Sequence, residues 1–171
     1  MARIHGYINL IKHKESEMER QFIIDNNRER ERLRRLVDEI TDEELNLVIY
    51  EEGWTIAVVL AHLAFYDELR LVIVRKWRER GVTLLSVTSD YVDVFNDASL
   101  PLFLSIPPRK AANLSIHAAE VLDGELEQLS PDLISAIEAL GERHALNRSI
   151  HRKMHLDEIE AAMKARRSNK S

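Results

Sequence analysis

Arg148-Ser149-Ile150-His151-Arg152-Lys153-Met154-His155-Leu156-Asp157-Glu158-Ile159-Glu160 holds neither glycine nor proline, and good helix formers fill it, so it reads as helix. On a helix His151 and His155 are four residues apart and stack on one face, close enough to share a metal ion. Glu158 follows three residues later on the same face. The chain has seven histidines, so two exposed rings can also fall at this spacing by chance. A third ligand has to come from elsewhere in the chain.

The most apolar stretch supplies a candidate. From Trp54 to Arg80 the spacing predicts a long helix in which Ile56, Ala57, Val58, Val59, Leu60, Ala61, Leu63, Ala64 and Phe65 surround His62. A helix that is apolar all round is buried. A buried neutral imidazole needs partners for both ring nitrogens. His62 is therefore either a core histidine bonded to a side chain or backbone group, or a metal ligand. After Phe65 the pattern turns amphipathic, with Asp67, Glu68 and Arg70 expected outward and Leu69, Ile73 and Trp77 inward. Gly81 suits the helix end.

The flanking segments complete an all-helical plan. Residues 1–14 read as a short leading helix or arm, and Ser16-x-x-Glu19 resembles a capping box opening a helix that runs to Ile40. Its run Arg28-Glu29-Arg30-Glu31-Arg32 reads as a solvated face. Thr41 is the expected N-cap of a short helix over Asp42-Glu43-Glu44, and Gly53 the turn residue before Trp54. Residues 82–107 look least helical. Val82–Thr88 suits a short strand without an evident partner, Asn96-Asp97 and Ser99-Leu100-Pro101 mark turns, and the whole reads as a crossover loop. A further helix follows Pro107-Pro108, with Ala112, Ile116, Ala119, Leu122 and Leu126 as its apolar stripe and His117 beside it as a surface or structural residue. Ser130-Pro131 opens another helix that runs to about Leu140. After Gly141 the last helix is expected from Glu142 to Arg167, before a polar tail at 168–171.

Composition narrows the classes. The 171 residues fit one domain over 1–171, with 45% hydrophobic and 31% charged residues and only five glycines and four prolines. The net charge of −5 argues against nucleic acid or an anionic membrane as partner. The absence of cysteine removes disulfides, thiolate zinc sites and a cysteine nucleophile, and fits a cytoplasmic location. Met1-Ala2-Arg3-Ile4-His5 lacks a signal-peptide core. No apolar run reaches the ~20 residues that span a bilayer. No nucleophilic serine motif and no phosphate loop is recognisable.

Trp54-Thr55-Ile56-Ala57-Val58-Val59-Leu60-Ala61-His62-Leu63 resembles a signature of the DinB/YfiT-like superfamily of metal-dependent enzymes. Arg148-x-x-His151-Arg152-x-x-His155-Leu156-x-Glu158-Ile159 resembles its second signature, and the likeness extends from Leu33 to Lys164. The resemblance implies a four-helix bundle with up-down-down-up topology and a long crossover. It implies that His62, His151 and His155 converge on one divalent transition metal at one end of the bundle, and that the protein forms a homodimer.

Three imidazoles leave a coordination position open, the pattern of a catalytic zinc site. Nickel, iron, manganese or copper also suits imidazole, with zinc or nickel expected first. A bound water would attack an electrophile, giving a hydrolase. A small thiol such as bacillithiol, mycothiol or glutathione as cosubstrate would give a transferase instead. Glu158 is the candidate catalytic base or orienting group, and an exposed glutamate is its ordinary alternative. Arg148 is a candidate for holding an anionic substrate, or forms a salt bridge. Tyr66, one turn after His62, lines the pocket or packs in the core. His144, seven residues before His151, is a more distant candidate. The alternative to a small-molecule enzyme is a non-catalytic helical dimer with a structural or vestigial metal site. Residues 1–14 and an exposed Trp77 would serve as its interface.

Overall fold

The computed structural model describes residues 2–83 and 89–169, with side chains for 21–83 and 91–169. The elements are α1 (Ala2–Glu39), α2 (Asp42–Leu45), α3 (Ile56–Arg80), α4 (Ser89–Leu104), α5 (Pro108–Glu127), α6 (Pro131–Ala139), α7 (Arg143–Leu146) and α8 (Ser149–Ser168). A turn of 3-10 helix at Glu51–Gly53 precedes α3. The fold is an all-α bundle, with no strand among the described residues. No helix among them is long and apolar enough to cross a membrane.

Local chemistry explains most boundaries. The Thr41 hydroxyl accepts the Glu44 amide while the Glu44 carboxylate accepts the Thr41 amide, a complete capping box. Thr55 caps α3 through the Val58 amide, and Gly81, at φ 84°, ends it in a conformation most side chains avoid. Ser130 caps α6 with Pro131 in its first turn.

Ordered pairs of side chains fix how the long helices run. Arg30 meets Asp123, Arg34 meets Glu120, and Arg109 donates to the Val37 and Ile40 carbonyls, so α1 and α5 are antiparallel. Asn26 meets Leu146 and Arg148, and Arg32 meets Asp157 and Glu160, so α1 and α8 are parallel. Asp67 meets Arg148 and Arg152 while His62 meets His151, so α3 runs against α8. The main packing is α3 on α5 and α1 on both α5 and α8.

The apolar core is in two parts. One gathers Leu33, Val37, Ile56, Leu60, Leu156 and Ile159. The other gathers Phe22, Leu71, Trp77, Leu122, Leu126 and Leu146. Each such side chain contributes about 1.5–3 kcal/mol on burial. Four of the helices carry a buried polar residue near where the two parts meet: Asn26 on α1, Asp67 on α3, Asp123 on α5, beside Leu122 of the second part, and Arg152 on α8.

Several expectations need correction. The backbone of α1 is helical through Ser16, so there is no separate arm over 1–14 and no helix start at Ser16. With no proline from 2 to 39, nothing forces a break. Residues 82–107 are not a structureless crossover, because α4 occupies Ser89–Leu104 with Pro101 inside it. A proline in a helix forfeits one amide hydrogen bond and crowds the carbonyl four residues back, which α4 tolerates. The expected strand at Val82–Thr88 lies mostly in 84–88, outside the described residues. The last helix is broken at Asn147, whose backbone is extended, into α7 and α8. Asp67 points inward, at 1% exposure, and so does Glu29 of the expected solvated run. Trp77 is buried, its indole N–H bonded to the Thr83 carbonyl, so it offers no exposed aromatic surface.

Candidate metal centre

His62 comes from the buried first half of α3; His151 and His155 come from the first two turns of α8. Each of the three rings offers a nitrogen, and these atoms lie within 4.8 Å of one another. His62 Nε2 and His151 Nε2 are 3.1 Å apart. That approaches the ~3.3 Å edge of a tetrahedron built on metal–nitrogen bonds of ~2.0–2.1 Å. The ring centres of His155 lie 5.0 Å from His62 and 4.9 Å from His151.

The rings are neutral. Burial pushes His62 down to about 3, and protonation of His155 and the Arg148 charge would both oppose a charge on it. Burial and then Arg148 push His151 down to about 2. Burial lowers His155 as well, against the opposing pull of Glu158. Neutral imidazole is the form that binds a metal.

Hydrogen bonding assigns the protons. The Glu158 carboxylate lies 3.0 Å from His155 Nδ1 and can only accept, so the proton is on Nδ1 and the Nε2 lone pair is free. Arg148 Nη2 lies 2.9 Å from His151 Nδ1 and can only donate, so that proton is on Nε2. His151 Nε2–H then donates to His62 Nε2, which leaves the His62 proton on Nδ1. That buried Nδ1 has no acceptor among the described residues. As a self-contained hydrogen-bonded cluster the three rings are incomplete, and they become a donor set for a divalent transition metal once the His151 Nε2 proton is given up to the incoming ion.

A closed array backs the cluster. Asp67 Oδ1 accepts Arg148 Nε at 2.9 Å, and Asp67 Oδ2 accepts Arg152 Nε at 3.0 Å. Arg152, fully buried, continues in a two-pronged pair with Asp123 at 2.8 and 3.0 Å. Asn26 reaches across from α1, its Oδ1 accepting the Arg148 and Ser149 amides at 2.8 and 2.9 Å. It thereby caps α8 from another helix.

A cleft of about 320 Å³ opens beside the cluster, lined by Tyr50, Glu51, Glu52, Trp54, His62, Asn96 and His155. Glu52 adopts φ 64°, uncommon for a residue with a side chain, at its rim. Tyr66 stacks beside the rings, 4.6 Å from His62 and 5.6 Å from His151, and its hydroxyl donates to Asn96 of α4. Tyr50 donates to the same Glu158 oxygen that holds His155. Arg148 is buried on Asp67, and His144 sits on α7, paired with Glu142 at 3.2 Å and apart from the cluster. His117 is exposed.

Sequence reading missed Asn26, Tyr50, Asp67, Asp123 and Arg152. Two carried a signal. Arg152 stands on the seam Leu156-Ile159-Met163 of α8, and Asp123 sits among the apolar positions of α5 beside Leu122 and Leu126.

The chain belongs to the DinB superfamily, whose family model matches residues 26–167. No curated protein and no solved structure gives a significant match.

Proposed function

We propose that the protein is a divalent-metal-dependent enzyme that acts on a small molecule at His62, His151 and His155, by hydrolysis or by transfer of a small thiol. The observation that carries this reading is a cluster of three neutral imidazoles bordering a cleft, with His62 and His155 in the cleft wall. Zinc or nickel bound there would act as a Lewis acid, lowering the pKa of a water or thiol.

The chain's own residues do the positioning. Glu158 accepts a hydrogen bond from His155 Nδ1–H and so fixes the Nε2 lone pair for a metal, while Tyr50 keeps Glu158 in place. This orienting role suits Glu158 better than that of a base, because one oxygen already serves both partners. Arg148, locked by Asp67, fixes the His151 ring instead of meeting substrate. Trp54 and Tyr66 border His62 with aromatic surface.

The test is turnover by protein reconstituted with zinc, nickel or manganese, on amide and ester substrates and on a small thiol with an electrophile. Metal-dependent turnover that falls at least ~100-fold in His151→Ala is expected. Full metal loading with no turnover in either reaction would contradict the proposal.

A second reading, a non-catalytic helical homodimer, draws on Tyr91, Val94, Phe95 and Leu102, exposed along one side of α4. Sedimentation at low concentration checks it, and a clean monomer would remove it.

A further inference from the structure

Arg70 differs from the other arginines near the site. Arg148 and Arg152 hold Asp67, Arg152 also holds Asp123, and Arg30 reaches Asp123 at 3.3 Å. Arg70 is half-buried, and among the described residues it has neither a hydrogen bond nor an ion pair. Its Nε is sealed from solvent without an acceptor. Of the nearby carboxylates, Asp67 is taken by two arginines, and Glu142 lies beside a neutral His144 and attracts Arg70 without a hydrogen bond to it. Burial and the Arg148 charge push the Arg70 guanidinium below its ordinary value, against the opposing pull of Glu142. A guanidinium in such a place is costly unless an anion meets it.

Its position relates it to the cluster. His62, Tyr66 and Arg70 follow at intervals of four on α3, so they lie along one face. Tyr66, the middle member, touches both His62 and His151. Arg70 lies two turns from His62, about 12 Å along the helix axis. An extended molecule of roughly ten bonds spans that distance.

We propose that Arg70 anchors a carboxylate or phosphate group of the small molecule whose reacting end meets His62, His151 and His155. The planar guanidinium fork matches either group with two parallel hydrogen bonds. The proposal rests on the reading of the histidine cluster as the reactive centre, and it restricts the substrate class to anionic molecules. It also transfers to Arg70 the anion-holding role that the sequence suggested for Arg148.

The experiment follows the arginine Nε–H signals of the full chain by NMR, with metal stripped. Sodium acetate and inorganic phosphate are titrated separately at constant ionic strength, into wild type, Arg70→Gln and His155→Ala. A saturable shift of the Arg70 signal by either anion is expected in wild type and His155→Ala, and the tighter anion identifies the group. In Arg70→Gln no other arginine signal should saturate. Linear shifts, or saturation that survives Arg70→Gln, would overturn the proposal. Saturation lost in His155→Ala would place the anion on the histidines and overturn it too. Arg70→Gln should melt at or above the wild-type temperature, because it loses a cation without a partner. Marked destabilisation would reveal an internal partner and also overturn it. Since metal is absent throughout, failure of the histidines to bind metal leaves these outcomes unchanged.

Discussion

His151 and Arg152 are neighbours on α8, yet they belong to opposite kinds of polar cluster. Around Arg152 every strong group is answered: Asp67 and Asp123 each meet a guanidinium, on a side chain with no exposure. At the rings beside His151 the bonding runs out: buried His62 Nδ1 has no acceptor among the described residues, and the one hydrogen bond of the His155 ring goes to Glu158 through Nδ1. The first cluster ties α3, α5 and α8 together between two apolar cores. The second leaves a lone pair on His155 and an unanswered N–H on His62, two rings in the wall of a cleft. A satisfied buried network defines an architecture; an unsatisfied one beside a cleft marks a place for a ligand.

The largest effect expected comes from breaking the satisfied cluster. Arg152→Ala leaves two buried carboxylates short of a partner and should cost about 3–5 kcal/mol in urea denaturation. Replacing Arg152, Asp67 and Asp123 together by apolar residues of similar volume should restore most of that stability.

Acid should act on the unsatisfied cluster next. His62 and His151 have folded values lowered to about 3 and about 2, so the unfolded chain takes up their protons first as pH falls. Their stabilising contribution is complete above the unfolded value of ~6.5 and declines as pH falls from there towards 3. By pH 5 each should have lost about 2 kcal/mol in metal-stripped protein. Urea denaturation at pH 7 and pH 5 measures this, and His62→Gln should show a smaller pH difference.

Asn26 links the two clusters by capping α8. Asn26→Ala leaves the buried Arg148 and Ser149 amides without that acceptor and should cost about 1–3 kcal/mol. Far from both clusters, Thr41→Ala removes the capping-box hydroxyl and should cost about 1 kcal/mol. Thermal denaturation distinguishes these two, and only Asn26→Ala should also disturb His151 ring signals in NMR spectra.

The His151 and His155 pair was legible in the sequence because a helix converts a spacing of four into proximity. The buried run around His62 left that ring open between core and metal, and only the family resemblance implied that it joins the pair. Caps were legible at Thr41 and Ser130, because capping is local. The arginine-carboxylate array was not, because Asp67 follows the apolar run at a point where a polar residue ordinarily turns outward. Only the two arginines at the start of α8 make its burial favourable. Helix α4 escaped because Asn96, Asp97, Ser99 and Pro101 each favour turns, and a helix tolerating them owes its form to packing on α3. The break at Asn147 escaped for a related reason: Asn26, more than a hundred residues away, caps the helix that follows.

The central claim is that His62, His151 and His155 form one metal-binding centre. Its most direct test is stoichiometry: stripped protein is titrated with zinc, nickel and manganese and its bound metal measured by plasma mass spectrometry, beside each single His→Ala variant. The account predicts one tightly held transition-metal ion per chain with at least one of these metals, lost or greatly weakened in each variant. No binding with any of them, or binding unchanged in all three variants, would contradict it.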